Sequence, residues 1–71
     1  MYILKTKIHE LRKEYGLQQS ELAELVNVRR ETVGKLENGK YNPSLKLAMD
    51  IAKVFHTTVE DVFKFIEVED E

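Results

Sequence analysis

Three residues suited to a left-handed backbone, Gly16, Asn27 and Gly39, cut the first part of this chain into short pieces. Each piece carries apolar residues at helical spacing, so the chain must fold as short helices separated by tight turns. Leu4, Ile8, Leu11 and Tyr15 form the stripe of a first helix, about Thr6 to Tyr15, with Gly16 as its stop. Leu22, Ala23 and Val26 mark a second, about Gln19 to Val26. Asn27 follows, and asparagine is the non-glycine residue that best tolerates positive φ. Val33 and Leu36 give the buried side of a third, about Arg30 to Glu37, which Asn38-Gly39 ends.

The remainder continues the pattern. Asn42-Pro43 forces an extended link, because a residue before proline avoids the helical region. Ser44 caps a fourth helix with an inner face of Leu45, Ala48, Ile51, Ala52 and Phe55. His56 is a surface residue where that helix stops. Thr58 and Asp61 have the spacing of a capping box opening a fifth helix, about Val59 to Lys64. Five short helices make an all-α class. The ends differ: Tyr2-Ile3-Leu4 is β-prone, and Phe65-Ile66-Glu67-Val68-Glu69 partly alternates apolar with acidic. They are expected to pair as a small antiparallel ribbon. The competing reading is a frayed N-terminus and a disordered acidic tail, residues 67–71.

Seventy-one residues form a single domain, 1–71, whose size implies modest stability. There are no cysteines, which excludes disulfides and thiolate metal sites, and His9 and His56 are too far apart in sequence to suggest a metal pair. No apolar run approaches the roughly 20 residues of a membrane span, and there is no signal-peptide pattern. A soluble, cytoplasmic protein is therefore expected. The formal charge of −2 is divided unevenly. Residues 1–46 carry nine Lys/Arg against six Glu, whereas residues 47–71 carry two Lys against seven acids. A polyanion would meet the first part.

That basic part contains a particular geometry. Two helices crossing steeply need a small residue at closest approach, which Ala23 supplies, and Asn27 suits the turn between them. With Val33 and Leu36 buried, helical periodicity sends Glu31, Lys35 and Asn38 to the opposite face, with Arg30 at the exposed N-terminal end. This is the layout of a helix-turn-helix, whose second helix enters the DNA major groove. Arg30 can donate a bidentate pair to guanine, and Lys35 can reach guanine or a phosphate. Glu31 can accept from a cytosine amino group or steer Arg29 and Arg30. Gly34 leaves one turn of the reading helix bare, at about 1 kcal/mol relative to alanine, which suits close approach to DNA.

Gln19, Glu21-Leu22-Ala23, Val33, Leu36-Glu37-Asn38-Gly39-Lys40 and Pro43 resemble the pattern of the Cro/repressor (Xre) family of transcriptional regulators. KLENGKYNPSL, residues 35–45, is particularly similar to a subgroup of very small regulators that includes the cytolysin repressor. The resemblance, over roughly residues 5–65, implies a lambda-repressor-like domain of five helices, supports the terminal ribbon and suggests a homodimer. It further implies that Gln19 grips a phosphate at the start of the second helix, and that Arg12 and Glu37 bridge the first helix to the end of the third. Arg29 stands where the family usually has a small capping residue, Glu31 where it often has glutamine, and Gln18 where it has Ser or Thr.

The backbone-contact set expected along this edge is Gln19, Arg29, Thr32, Asn38, Lys40, Tyr41, Asn42 and Lys46, which would set register and salt dependence rather than sequence. Val59, Val62, Phe63, Phe65 and Ile66 supply more apolar surface than so small a core obviously needs; some of them plug the core, and part of the fifth helix is expected to bury against its copy. The function expected is a sequence-specific DNA-binding regulator, a repressor in the absence of a separate effector domain, reading a near-palindrome as a dimer. The alternative is a protein-interaction module such as an antitoxin or co-regulator, which would not need Arg29, Arg30, Lys35 and Lys40 clustered together. No enzyme constellation, cofactor or small-molecule ligand is indicated.

Overall fold

A computed structural model describes residues 1–69, in the order β1 (Tyr2–Thr6), α1 (Ile8–Tyr15), α2 (Gln19–Leu25), α3 (Arg30–Glu37), α4 (Leu45–Val54), α5 (Val59–Val62) and β2 (Phe63–Glu67). Asp70 and Glu71, the end of the predicted acidic tail, lie outside the described residues. The five expected helices are present, and the two ends pair as an antiparallel ribbon.

One device ends each of the first four helices. Gly16, Asn27, Gly39 and His56 all take positive φ, between 53° and 70°. In each case the N–H of that residue bonds back three residues and the next N–H bonds back five. The pairs are Gly16 to Lys13 with Leu17 to Arg12, Asn27 to Glu24 with Val28 to Ala23, Gly39 to Leu36 with Lys40 to Lys35, and His56 to Lys53 with Thr57 to Ala52. These are Schellman closures, which satisfy the last orphan carbonyls of a helix. His56 is thus the fourth stop of the series, with its ring stacked on Tyr15 at 6.3 Å between centroids.

The core is built where these helices meet. Ile8, Leu22, Val33, Leu36 and Ile51 are 0% exposed and Val62 is 1% exposed. Tyr15 clamps α1 to the end of α4: its hydroxyl donates to the Phe55 carbonyl at 2.9 Å, and its ring meets the Phe55 ring edge-on. Ser44 caps α4 by accepting from the Leu47 N–H. Thr58 caps α5 by accepting from the Asp61 N–H.

Three sequence expectations are corrected. Thr6 belongs to β1 rather than to the first helix, because it pairs with Phe63 and the following Lys7 N–H is taken by the Val62 carbonyl. The fifth helix is a single turn, because Phe63 and Lys64 enter β2 instead of continuing it. Leu45 is 73% exposed and Leu47 takes its inward place, at 8%. The proposed interface set divides as well. Val62 is sealed in the core of its own domain and has no surface to offer a copy. Val59 and Phe63 pack half-buried against that core. Phe65 and Ile66 remain open at 57% and 42%. Their cross-strand partners are Leu4 and Ile3, so they stand on opposite faces of the ribbon.

Candidate nucleic-acid interface

The α2–turn–α3 unit forms as its residues require. Ala23 is buried at the crossing, and its carbonyl accepts from the Val28 N–H to close the turn. Gln18 opens α2 in extended backbone, with its N–H held by the Glu21 carboxylate at 2.8 Å. Arg29 opens α3 without a side-chain cap bond, as expected of so poor a capping residue. Val33 and Leu36 turn inward, leaving Arg30, Glu31, Lys35 and Asn38 exposed, while Thr32 is half-buried. Arg29, Lys40, Tyr41 and Asn42 are exposed at the two ends of α3.

Behind this face lies the bridge expected from Arg12 and Glu37. The guanidinium donates to both carboxylate oxygens, at 2.5 and 3.2 Å, and also to the Leu17 carbonyl at 2.9 Å. The two side chains are 11% and 8% exposed. Burial pushes the Glu37 carboxyl upward, but hydrogen bonds from Arg12 and Gln19 and the Arg12 charge outweigh it and hold Glu37 below its ordinary value. His9 completes the cluster, with Nδ1 3.2 Å from Arg12 Nη2 and 3.6 Å from Glu37 Oε1.

Two of the expected backbone contacts, Gln19 and Lys46, hold partners within the chain. Gln19 turns inward and donates from Nε2 to Glu37 at 3.1 Å, while its Oε1 accepts from Arg30 at 3.2 Å. Among the described residues Glu31 makes no ion pair, and the hydrogen-bond partner of Arg30 is Gln19. Lys46 is paired with Asp50 at 2.7 Å and lines a groove with Asn27 and Lys53. Lys13 lies beside this face and outside the set expected from the sequence. It is exposed and lines a groove of about 480 Å³ with Arg12, Gln18, Gln19, Ser20 and Arg30. Its signal was its place in the last turn of α1, just before the Gly16 stop that turns the chain toward α2. Among the described residues, no helix is long and apolar enough to cross a membrane.

A model of the helix-turn-helix family HTH_3 matches residues 8–62. An uncharacterized HTH-type transcriptional regulator of Archaeoglobus fulgidus is 54% identical over 66 residues, 93% of this chain and 94% of that protein. The HTH-type regulator YgzD of Bacillus subtilis is 48% identical over 60 residues, 84% of this chain and 91% of its own length. The solved structure of the restriction-modification controller protein C.AhdI from Aeromonas hydrophila is similar with a TM-score of 0.70 at 33% identity. It covers 78% of this chain and 83% of that one.

Proposed function

This chain belongs to the HTH_3 helix-turn-helix family, and from that premise we propose a DNA-binding transcriptional regulator that represses by occupying a near-palindromic operator as a homodimer. The observation that carries the reading is the face of α3. Arg30, Glu31 and Lys35 stand free of the core on the side opposite Val33 and Leu36, at the height where side chains reach base edges. Arg29, Lys40, Tyr41 and Asn42 flank them as backbone contacts. Repression needs only occupancy of the DNA, which this surface by itself supplies. The terminal ribbon supports kinship with the small subgroup that includes the cytolysin repressor.

The test uses duplexes selected by the protein from a random pool. Arg30→Ala is expected to cost about 1–3 kcal/mol on the selected duplex and to relax base choice at one position. Lys40→Ala is expected to weaken all sequences alike and to lower the salt slope by about one. Equal, sequence-independent losses from both would show that the readout lies elsewhere.

A second copy is proposed to cover Tyr2, Leu45 and Phe65, which are 65%, 73% and 57% exposed. Leu45 and Phe65 border a shallow groove that Pro43, Ala48 and Val59 also line. This surface takes the place of the buried Val62. To read a near-palindrome, such a dimer must hold its two α3 helices about 34 Å apart, one DNA turn. Sedimentation at micromolar concentration is expected to give twice the chain mass, and a strictly monomeric mass would refute the dimer.

A further inference from the structure

The chain has three asparagines, Asn27, Asn38 and Asn42, all exposed. An asparagine side chain loses its amide when the backbone nitrogen of the next residue attacks its carbonyl carbon, so the next residue decides which asparagine can react. Pro43 has no N–H to give up, and Asn42 therefore lacks this route. Val28 crowds the approach at Asn27 with a branched side chain, and its N–H is bound to the Ala23 carbonyl at 2.9 Å. Gly39 puts no side chain beside the attacking nitrogen. A Cβ at this position, φ 70°, would collide with the Leu4 carbonyl oxygen. The contact that seats β1 thus keeps the reactive Asn-Gly pair at the end of α3.

The closed fold holds that pair apart. Asn38 has ψ 3°, which sets the Gly39 nitrogen beside the Asn38 nitrogen and away from the Asn38 side chain. The Gly39 N–H donates to the Leu36 carbonyl at 3.0 Å, and the N–H groups of Asn38 and Lys40 are bound to Gly34 and Lys35. Reaction needs this last turn to open, and a helix end opens at far less cost than the whole domain. We propose that Asn38 is a site of spontaneous deamidation, gated by the exit of α3, and that its products silence the DNA-binding face. The Gly39 nitrogen bonds to Asn38 Cγ, its proton and the side-chain amino group leave together as ammonia, and a five-membered imide remains. Water then opens the imide at either carbonyl, restoring the Gly39 N–H and giving aspartate or isoaspartate. Both products set a carboxylate on the same face as Lys35, where phosphates would approach. Isoaspartate also adds one methylene to the backbone just before Lys40 and Tyr41. The silencing rests on this face being the DNA contact; the chemistry at Asn38 does not.

The experiment ages the full chain at mildly alkaline pH, folded and in concentrated urea, and follows each asparagine by peptide mass mapping with isoaspartate detection. Conversion is expected at Asn38 ahead of Asn27 and not at Asn42. It should run roughly 10- to 100-fold slower in the folded chain than in urea, the scale of a local opening. A duplex selected by the fresh protein from a random pool should slow it further. Asn38→Gln, whose longer side chain closes the ring poorly, should not age. Aged protein and Asn38→Asp should bind the selected duplex roughly 10-fold more weakly than fresh protein, as like charges brought together require. Conversion at Asn27 as fast as at Asn38 overturns the site. Protection as large as the global unfolding constant from urea melts overturns the local gate. Aged protein that binds as fresh protein does overturns the silencing. If the fresh protein selects no duplex, the DNA-binding reading has failed and the silencing falls with it, while the site at Asn38 is decided by the mass maps alone.

Discussion

Glu37→Ala is expected to remove about 3–5 kcal/mol of stability, because it strands the Arg12 guanidinium beneath α3. The Leu17 carbonyl would be its chief remaining oxygen partner. A domain of this size has only about 4–10 kcal/mol in total, so the variant should sit near the edge of folding at room temperature. Urea melts of wild type and variant give the number, and a midpoint that barely moves would end the idea. Replacing both partners by apolar residues, Arg12→Met with Glu37→Leu, should cost far less than Glu37→Ala alone, since no buried charge is left behind.

The same carboxylate gives the fold an acid limb. Its folded-state value is depressed below the ordinary 4.5. Its contribution is therefore complete above that value and fades as pH falls through the depressed one. Glu37→Gln should lose that part of the pH dependence, so wild type and variant curves converge at low pH.

How much of this was legible in the sequence depends on how local each cause is. Gly16, Asn27 and Gly39 act within one turn of chain, so their left-handed stops and the bounds of α3 could be read directly. His56 closes its helix in the same way, but histidine carries no strong preference that announces it. Leu45 and Leu47 show the limit of periodicity. Stripes through Leu45 and through Leu47 share Ala48, Ala52 and Phe55, and only packing against the other helices decides which leucine turns inward. Thr6 and Phe63 lie at opposite ends of the chain and join β1 and β2 because they pair with each other, a fact no local window contains. The Gln19–Glu37 hydrogen bond was equally hidden, because it joins residues of two different helices.

Gly39→Ala is expected to cost about 2–5 kcal/mol, and the larger part of that was invisible in the sequence. An alanine at this position, φ 70°, would carry the usual penalty of about 1–2 kcal/mol for left-handed backbone. Its Cβ would also collide with the Leu4 carbonyl oxygen. That oxygen belongs to β1, whose buried Leu4 pairs with Phe65 across the ribbon, so it cannot yield without moving the strand. Overpacking of this kind adds about 1–3 kcal/mol. Gly16→Ala supplies the control: φ is 66°, yet nothing lies within 4 Å of the new Cβ, so only the conformational penalty should appear. Melts of the two variants side by side isolate the contact, and equal losses would show that Gly39 is needed for its backbone alone. If Gly39→Ala proves the costlier, the close approach that seats the ribbon also fixes the exit of α3, and with it Lys40 and Tyr41. A ribbon displaced at Leu4 should then weaken DNA binding through residues that it does not touch.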